Sequence, residues 1–174
     1  MSYVPSHASS GGALAQPNAL VFIPMTQSTT QTATVGTAVN LSAAATKFGL
    51  WSVTITNNKV TLPSGYHYLI EAVIVPYYTG SATNSDYIEF QIYDETNTAY
   101  VGTKALIHRS TGEDSSLTSR DEKCRYFVDC SSTGIDISVK LTAKTAAWNR
   151  LNYTTDSFTE YSGIGRIIIW RLES

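Results

Sequence analysis

The residue types that most often carry out chemistry are scattered along this sequence. His67 and Glu71 come nearest to an acid–base pair, because both point to the same side of an extended segment. Each residue of a strand advances about 3.3 Å, so the two side chains stand about 13 Å apart, too far for a direct hydrogen bond. We therefore interpret them as separate surface contacts and predict that the protein is not an enzyme.

Other catalytic and ligand-binding patterns are incomplete. The nearest match to a glycine-rich phosphate loop, SGIG at 162–165, lacks a third glycine and a following helix. Neighbouring carboxylates such as Glu113 and Asp114 do not have the spacing of an EF-hand loop. We predict no catalytic residue, no cofactor and no metal site, although a calcium ion held by loop carboxylates stays open at this point.

The two cysteines, Cys124 and Cys130, lie in the run CRYFVDC. If this run is one strand, both side chains face the same way and lie about 20 Å apart. A disulfide requires Cα atoms within about 7 Å of each other. We therefore predict two free thiols that face the core.

Composition favours an all-β protein. The chain has 174 residues with 11 Tyr and 5 Phe, and only 15% of its residues are charged. The formal net charge of −2 gives no basic surface for nucleic acid. No apolar run approaches the roughly 18 residues that span a bilayer, and no leader pattern opens the chain. We expect a soluble protein made in a cytoplasm, with neither nucleic acid nor membrane as a partner.

Residues 1–18 are predicted to form an extended N-terminal arm, because prolines and a Gly-Gly pair interrupt any regular pattern there. No Asp, Glu, Lys or Arg occurs in residues 1–46, whereas tails that remain in water are usually charged. An uncharged arm with Tyr3, Val4 and Leu14 suits docking on another protein. A terminus without a function is the alternative.

Residues 19–174 are predicted to form one domain of about eight to ten short strands, with turn signals roughly every ten residues. Asn57 and Asn58 predict a tight hairpin turn, since Asn tolerates positive φ. Residues 42–47 are expected to form a single helical turn, and residues 108–121 and 144–161 are expected to be long loops.

One stretch, 66–79, is apolar on both faces, and so is the C-terminal stretch 164–172. A strand in an ordinary sandwich needs only one apolar face, because the other meets water. We therefore expect a second copy of the chain to cover the remaining face. The residues predicted at this subunit interface are His67, Leu69, Glu71, Val73, Val75, Ile167 and Ile169.

The aromatic residues of the second predicted loop, Trp148, Tyr153, Phe158 and Tyr161, allow two interpretations. In the first they pack over one end of the sandwich, and in the second they stack on the sugar rings of a receptor. The sequence leaves both interpretations open.

Three runs of this sequence carry a resemblance to a known family: LPSGYHYLIEAVIVPYY, YIEFQIYDETNTAYVGTKALI and GIGRIIIWRLES. They resemble the jelly-roll domains of tailed-bacteriophage virion proteins, and the resemblance covers roughly residues 60–173. In those domains a Leu-Pro-small-Gly strand precedes a strand with alternating aromatic residues. The resemblance implies an antiparallel jelly-roll β-sandwich that forms homotrimers, similar in shape to tumour-necrosis-factor and complement-type heads.

The resemblance also implies a function, that of a trimeric capsid decoration (cement) protein on the outer surface of a virion. The major capsid protein would be its partner, and Tyr3, Val4 and Leu14 of the arm would make the contact. The alternative is a short tail-fibre or tail-spike protein whose head binds a host surface glycan. Its candidate receptor contacts would be Trp148, Tyr153 and Phe158. The decoration reading is favoured because the sequence holds no fibrous repeat that could form a shaft.

Overall fold

The structure is a computed structural model that describes residues 19–26, 31–43, 45–48, 53–78, 86–108, 122–151 and 165–172. These residues form twelve strands, and no helix occurs among them. In chain order the strands are β1 (Ala19–Pro24), β2 (Thr46–Phe48), β3 (Thr54–Thr56), β4 (Lys59–Leu62), β5 (Tyr66–Val73), β6 (Pro76–Tyr78), β7 (Tyr87–Asp94), β8 (Ala99–His108), β9 (Cys124–Cys130), β10 (Ile135–Lys144), β11 (Trp148–Leu151) and β12 (Arg166–Leu172).

Ten of these strands build two five-stranded antiparallel sheets. The first sheet has the order β2-β1-β12-β5-β9 and the second has the order β3-β4-β10-β7-β8, while β6 and β11 form a separate pair. One apolar core unites inward side chains of both sheets, among them Ile70 and Ile169 of the first sheet and Phe90 and Leu141 of the second. The predicted all-β sandwich is therefore confirmed.

Four of the strand pairs are nested in the sequence. β1 pairs with β12, β4 with β10, β5 with β9 and β7 with β8. Each pair lies inside the previous one along the chain, so the chain runs as one long hairpin that is folded across both sheets.

The two ends of the sandwich differ in which strands begin there. At one end, Ala19 begins β1 beside the last residues of β12, and we call this the arm end because residues 1–18 precede Ala19. At the opposite end β7, β9 and β12 begin, and we call it the loop end. Segments 79–85, 109–121 and 152–164, which lie outside the described residues, precede these three strands.

Three local predictions need correction. The stretch 66–79 is not one strand, because β5 ends at Val73 and Pro76 begins β6, which pairs with β11 instead. Thr46 opens strand β2, so the helical turn expected at 42–47 is wrong. Part of the second expected loop, 144–161, is also ordered as a strand, β11.

The hairpin turn and the thiols agree with the sequence. Asn57 and Asn58 have φ values of 51° and 62° and join β3 to β4. The Asn58 side chain also accepts a hydrogen bond from the Leu41 backbone N–H at 2.9 Å, which fastens the preceding segment to the hairpin. Cys124 and Cys130 are free and buried, and both face the core, as predicted.

We expect both thiols to react with a thiol reagent only after denaturation. Both are buried, and burial raises the pKa of Cys124 to about 12, so the reactive thiolate is scarce in the folded state. Replacing both cysteines with Ala should leave the chain folded, as judged by circular dichroism. Fast labelling of the native protein, or a nonreducing mass spectrum with an internal bridge, would contradict this.

The sandwich is closed on one side by a close approach of β8 to β9. Gly102 of β8 has a φ of +71°, and a Cβ at this position would lie 2.0 Å from the backbone oxygen of Arg125. Beside it, the Arg125 backbone N–H donates a hydrogen bond to the Thr103 hydroxyl at 2.9 Å. Only glycine satisfies both the positive φ and the contact between the sheets.

Replacing Gly102 with Ala should therefore lower the free energy of unfolding by about 3 kcal/mol or more, since steric overlap with Arg125 adds to a left-handed backbone cost of about 1–2 kcal/mol. Gly36 is a matched control, because its φ is +81° and nothing lies within 4 Å of the added Cβ. Gly36→Ala should show the backbone cost alone. Equal losses in urea unfolding of the two variants would show that the contact with Arg125 is unimportant.

Candidate functional site

The outer face of the first sheet carries an apolar row that crosses four neighbouring strands. Leu20 of β1 lies opposite Trp170 of β12, Trp170 lies opposite Leu69 of β5, and Leu69 lies opposite Phe127 of β9. The outer face of an antiparallel sheet normally meets water with polar side chains. We call these four residues the apolar row and treat them as the candidate interaction site.

Exposure increases along the row toward the edge of the sheet. Leu20 and Trp170 are half-buried, Leu69 is 36% exposed and Phe127 is 57% exposed. Phe127 is thus a large apolar side chain left in water at the edge strand β9. Exposed apolar groups that adjoin one another are typical of protein contacts.

A buried carboxylate with two cationic partners lies on the loop-end side of the row. Glu71 is almost fully buried, and its two carboxylate oxygens form ion pairs with Lys123 Nζ at 2.8 Å and Arg125 Nε at 3.0 Å. Burial alone raises the pKa of Glu71, but the hydrogen bonds and charges of Lys123 and Arg125 outweigh it and hold the pKa below its ordinary value. This cluster anchors the outer side of β5 to β9.

A second polar contact lies on the arm-end side of the row. His67 Nε2 is 3.4 Å from Asp129 Oδ1, and the imidazole ring stacks on Phe127 with 5.9 Å between the ring centroids. Hydrogen bonds from Ser131 and the nearby His67 hold the pKa of Asp129 below its ordinary value. Phe127 therefore lies between two polar contacts that fix β9 against β5.

The outer face of the second sheet is different, because its side chains satisfy one another through ionic contacts. Lys140 Nζ lies 2.9 Å from Glu95 and 3.5 Å from the Tyr93 ring centroid. Glu89 accepts hydrogen bonds from Lys104 and Thr142. Leu106 of β8 is 44% exposed on this sheet, but it lies opposite the charged Glu89 and not opposite an apolar residue, so the apolar row distinguishes the first sheet.

The predicted subunit-interface residues separate into three groups. His67 and Leu69 lie on the partly exposed outer face. Glu71 and Val73 point the same way along β5 but are buried within the chain, at 8% and 4% exposure, and Val75, which follows β5, is 5% exposed. Ile167 and Ile169 are fully buried in the core, so their assignment to an interface is wrong. The outward residues of β12 are instead Ile168 and Trp170, because the alternation runs in the opposite phase.

The other predicted contacts are mostly outside the described residues. Tyr3, Val4 and Leu14 of the arm lie there, and so do Tyr153 and Phe158. Trp148 is described, and it is 1% exposed in the core, so it does not offer a ring face to a sugar. The sugar-stacking interpretation therefore does not hold for Trp148.

Phe127 was not among the predicted site residues, although the sequence carries a signal for it. In CRYFVDC the inward residues Cys124, Tyr126, Val128 and Cys130 alternate with Arg125, Phe127 and Asp129. On the outward side Phe127 is an apolar residue between two charged residues, and this break in the polar pattern is the signal. Trp170 and Leu20 gave no such signal, because their positions in the row depend on the register between distant strands.

Neither metal chemistry nor relatives add to this site. Within the described ranges, no three His, Cys, Asp or Glu residues gather into a possible metal site. The same residues contain no helix with the length and apolarity that a membrane crossing requires. No protein-family model matches the chain, and no curated protein matches it either.

Glu71→Gln should lower the free energy of unfolding by about 1–3 kcal/mol at about pH 7, because two cations lose their charged acceptor. The lowered pKa means that the folded state favours the ionised carboxylate. The stabilisation that ionised Glu71 provides is therefore complete above pH 4.5, the ordinary pKa of a glutamate. It is lost as the pH falls through the lower pKa of Glu71 in the folded state. The difference between wild type and variant in urea unfolding should shrink over that range.

Glu122→Gln is the control, because Glu122 is an exposed glutamate just before β9. It should change the free energy of unfolding by less than about 0.5 kcal/mol, both at about pH 7 and over the lower pH range in which Glu71 becomes protonated. If Glu71→Gln behaves like this control, the ionic cluster does not stabilise the sheet.

Proposed function

We propose that this protein is a bacteriophage capsid decoration (cement) protein, a homotrimer of jelly-roll sandwiches that binds the outer capsid surface and stabilises it. The major capsid protein is its partner, and the N-terminal arm makes the attachment. The proposal joins the resemblance in the sequence to three properties of the folded chain.

The nested strand pairs support a jelly roll. A jelly roll is a two-sheet sandwich made of two Greek keys, and it arises when one long antiparallel hairpin is wrapped across two sheets. The pairing of β1 with β12, β4 with β10, β5 with β9 and β7 with β8 follows this order.

The observation that carries the proposal is the separation of the arm end from the loop end. The chain enters the sandwich at Ala19 on the arm end, whereas three long segments precede strands that begin at the loop end. A protein held by its arm would present the opposite end, with the segments that precede β7, β9 and β12, away from the attachment surface. This is the polarity that a surface decoration needs.

The composition of the arm supports its role in attachment, and the apolar row supports the assembly of several copies. An arm without charges attaches through apolar and main-chain contacts, for which extended segments are well suited. The apolar row supports the presence of several copies, because it gives each subunit a surface to bury. Several arms on one particle-bound oligomer would bind multivalently, so modest affinity per arm becomes tight attachment.

The tail-spike alternative has less support. Of its three candidate glycan contacts, Trp148 is buried, and Tyr153 and Phe158 lie outside the described residues. Receptor binding remains a distinct outcome of the experiment below.

Deleting residues 1–18 should leave a folded oligomer that no longer binds undecorated capsids, because all twelve described strands lie between Ala19 and Leu172 and are kept in this variant. The assay is cosedimentation of purified protein with undecorated heads. Wild-type attachment should weaken little as salt rises from about 0.1 to 1 M, because screening acts on charge pairs and the arm has none.

The matched control keeps the arm length and replaces Tyr3, Val4 and Leu14 with Ser. If this variant also loses attachment, the side chains rather than the length of the arm are needed. Full decoration by the deletion variant would show that the sandwich itself makes the contact. Binding of both forms to host cells but not to heads would establish the tail-spike alternative.

A further inference from the structure

Arg171 of β12 is a cation on the inner face of the first sheet, at the arm end. It lies opposite Tyr68 of β5 on one side and opposite Ala19 of β1 on the other. Residues directly opposite one another in an antiparallel pair point to the same face of the sheet, and Tyr68 is fully buried in the core. The half-buried Arg171 side chain therefore extends between the two sheets.

The described groups around Arg171 are aromatic or neutral. Its guanidinium carbon lies over the Tyr66 ring, 4.4 Å from the ring centroid. Burial raises the pKa of Tyr68 to about 12, so this phenol stays protonated at neutral pH. Burial also raises the pKa of the Cys130 thiol, which lies opposite Tyr66 in the sheet. None of these three residues supplies a negative charge to Arg171.

Arg171 has no ionic partner within the part of the chain that the structure describes. Its Nε–H is buried and has no hydrogen-bond acceptor, and none of the ion pairs among the described residues includes Arg171. Asp94, which is buried at the arm end of β7, binds Asn97 instead, through hydrogen bonds of 2.9 and 2.8 Å. A charge removed from water is costly unless an opposite charge compensates it. The surroundings of Arg171 therefore favour the binding of an anion.

A carboxylate, the anion that protein side chains offer, fits this position. The guanidinium is a planar fork of N–H donors that matches the two oxygens of a carboxylate, and the two groups form parallel charge-assisted hydrogen bonds. Among the three nitrogens of the Arg171 side chain only Nε is buried without an acceptor, so the two Nη groups are the donors that a ligand can reach. The Tyr66 ring stabilises the cation from one face of the guanidinium plane.

The arm brings its binding partner close to this cation. Ala19, at which the arm joins the sandwich, lies directly opposite Arg171. A protein bound by the residues just before Ala19 would therefore lie beside Arg171. The arm itself does not supply the carboxylate, because no Asp or Glu occurs in residues 1–46.

We propose that Arg171 binds the carboxylate of an Asp or Glu side chain on the protein to which the arm attaches. This inference rests on the proposed function, in which that protein is the major capsid protein, and it adds the chemistry of a second contact. A half-buried ion pair is screened by salt less than an exposed one, so the weak salt dependence expected for the arm is retained. A carboxylate of the same chain, that of Glu173, is the other source that the experiments distinguish.

The first test measures cosedimentation of full-length Arg171→Gln with undecorated heads. Loss of the charged fork should weaken attachment about tenfold or more, the usual effect of losing a charge-assisted contact. Arg171→Lys keeps the charge without the fork and should lose less. Arg166→Gln is the matched control, because it removes the same charge from the opposite end of β12 and should leave attachment unchanged. Circular dichroism and the urea midpoint should show that each variant is folded.

The second test needs no capsid, because acetate serves as the carboxylate probe. The melting temperature of the wild type should be higher in about 0.2 M sodium acetate than in the same concentration of sodium chloride, since a ligand that binds the folded state stabilises it. General salt effects act on all variants alike, so binding is measured as the excess of this difference over that of Arg171→Gln. Arg166→Gln should behave like the wild type.

Three results would overturn the proposal. Unchanged attachment of Arg171→Gln would do so, and arm-dependent attachment would still leave the proposed function intact. An equal acetate effect in the wild type and in Arg171→Gln would show that Arg171 binds no carboxylate, whether or not heads are bound. The third result concerns Glu173→Gln, which should leave the urea midpoint unchanged. If it lowers the midpoint as much as Arg171→Gln does, and the double variant adds nothing, Glu173 is the partner of Arg171.

Discussion

The pairing of β1 with β12 is the constraint on which the first sheet depends. It joins the first and last described strands, with Val21 opposite Ile169 and Ile23 opposite Ile167, and all four side chains are fully buried. Closing a loop of this length costs entropy that grows only with the logarithm of its length. Burial of such side chains contributes about 1.5–3 kcal/mol each. Without this pairing β1 and β2 would separate from the rest of the first sheet, and the apolar row would lose Leu20.

The sequence predicted strands well where one face is polar and poorly where both faces are apolar. In β10, the inward Ile135, Ile137, Val139 and Leu141 alternate with polar residues, and these positions are confirmed as core. In β12 the run RIIIWRL offers no polar residue that marks the outward side of its centre. A shift of one residue then exchanges the two faces, which is why Ile167 and Ile169 were assigned to the wrong side.

The apolar row depends on the register between distant strands, and no single segment of the sequence determines that register. Leu20, Leu69, Phe127 and Trp170 become neighbours only after four strands are aligned. The same reasoning applies to β11, which the sequence assigned to a loop. Its strand character comes from pairing with β6, a tertiary contact that local composition does not encode. The arm prediction falls on residues outside those described.

The closure of β8 onto β9 also bears on how this protein behaves when concentrated. Exposed sheet edges are templates on which further chains can grow into fibrils, and natural proteins shorten or block them. Here β2 and β3 end their sheets with three residues each, and β9 has its Arg125 N–H occupied by Thr103. The ten-residue edge strand β8 and the edge strand β9 approach each other at Gly102 and Arg125, so the chain itself covers this part of both edges and leaves it closed to a further strand.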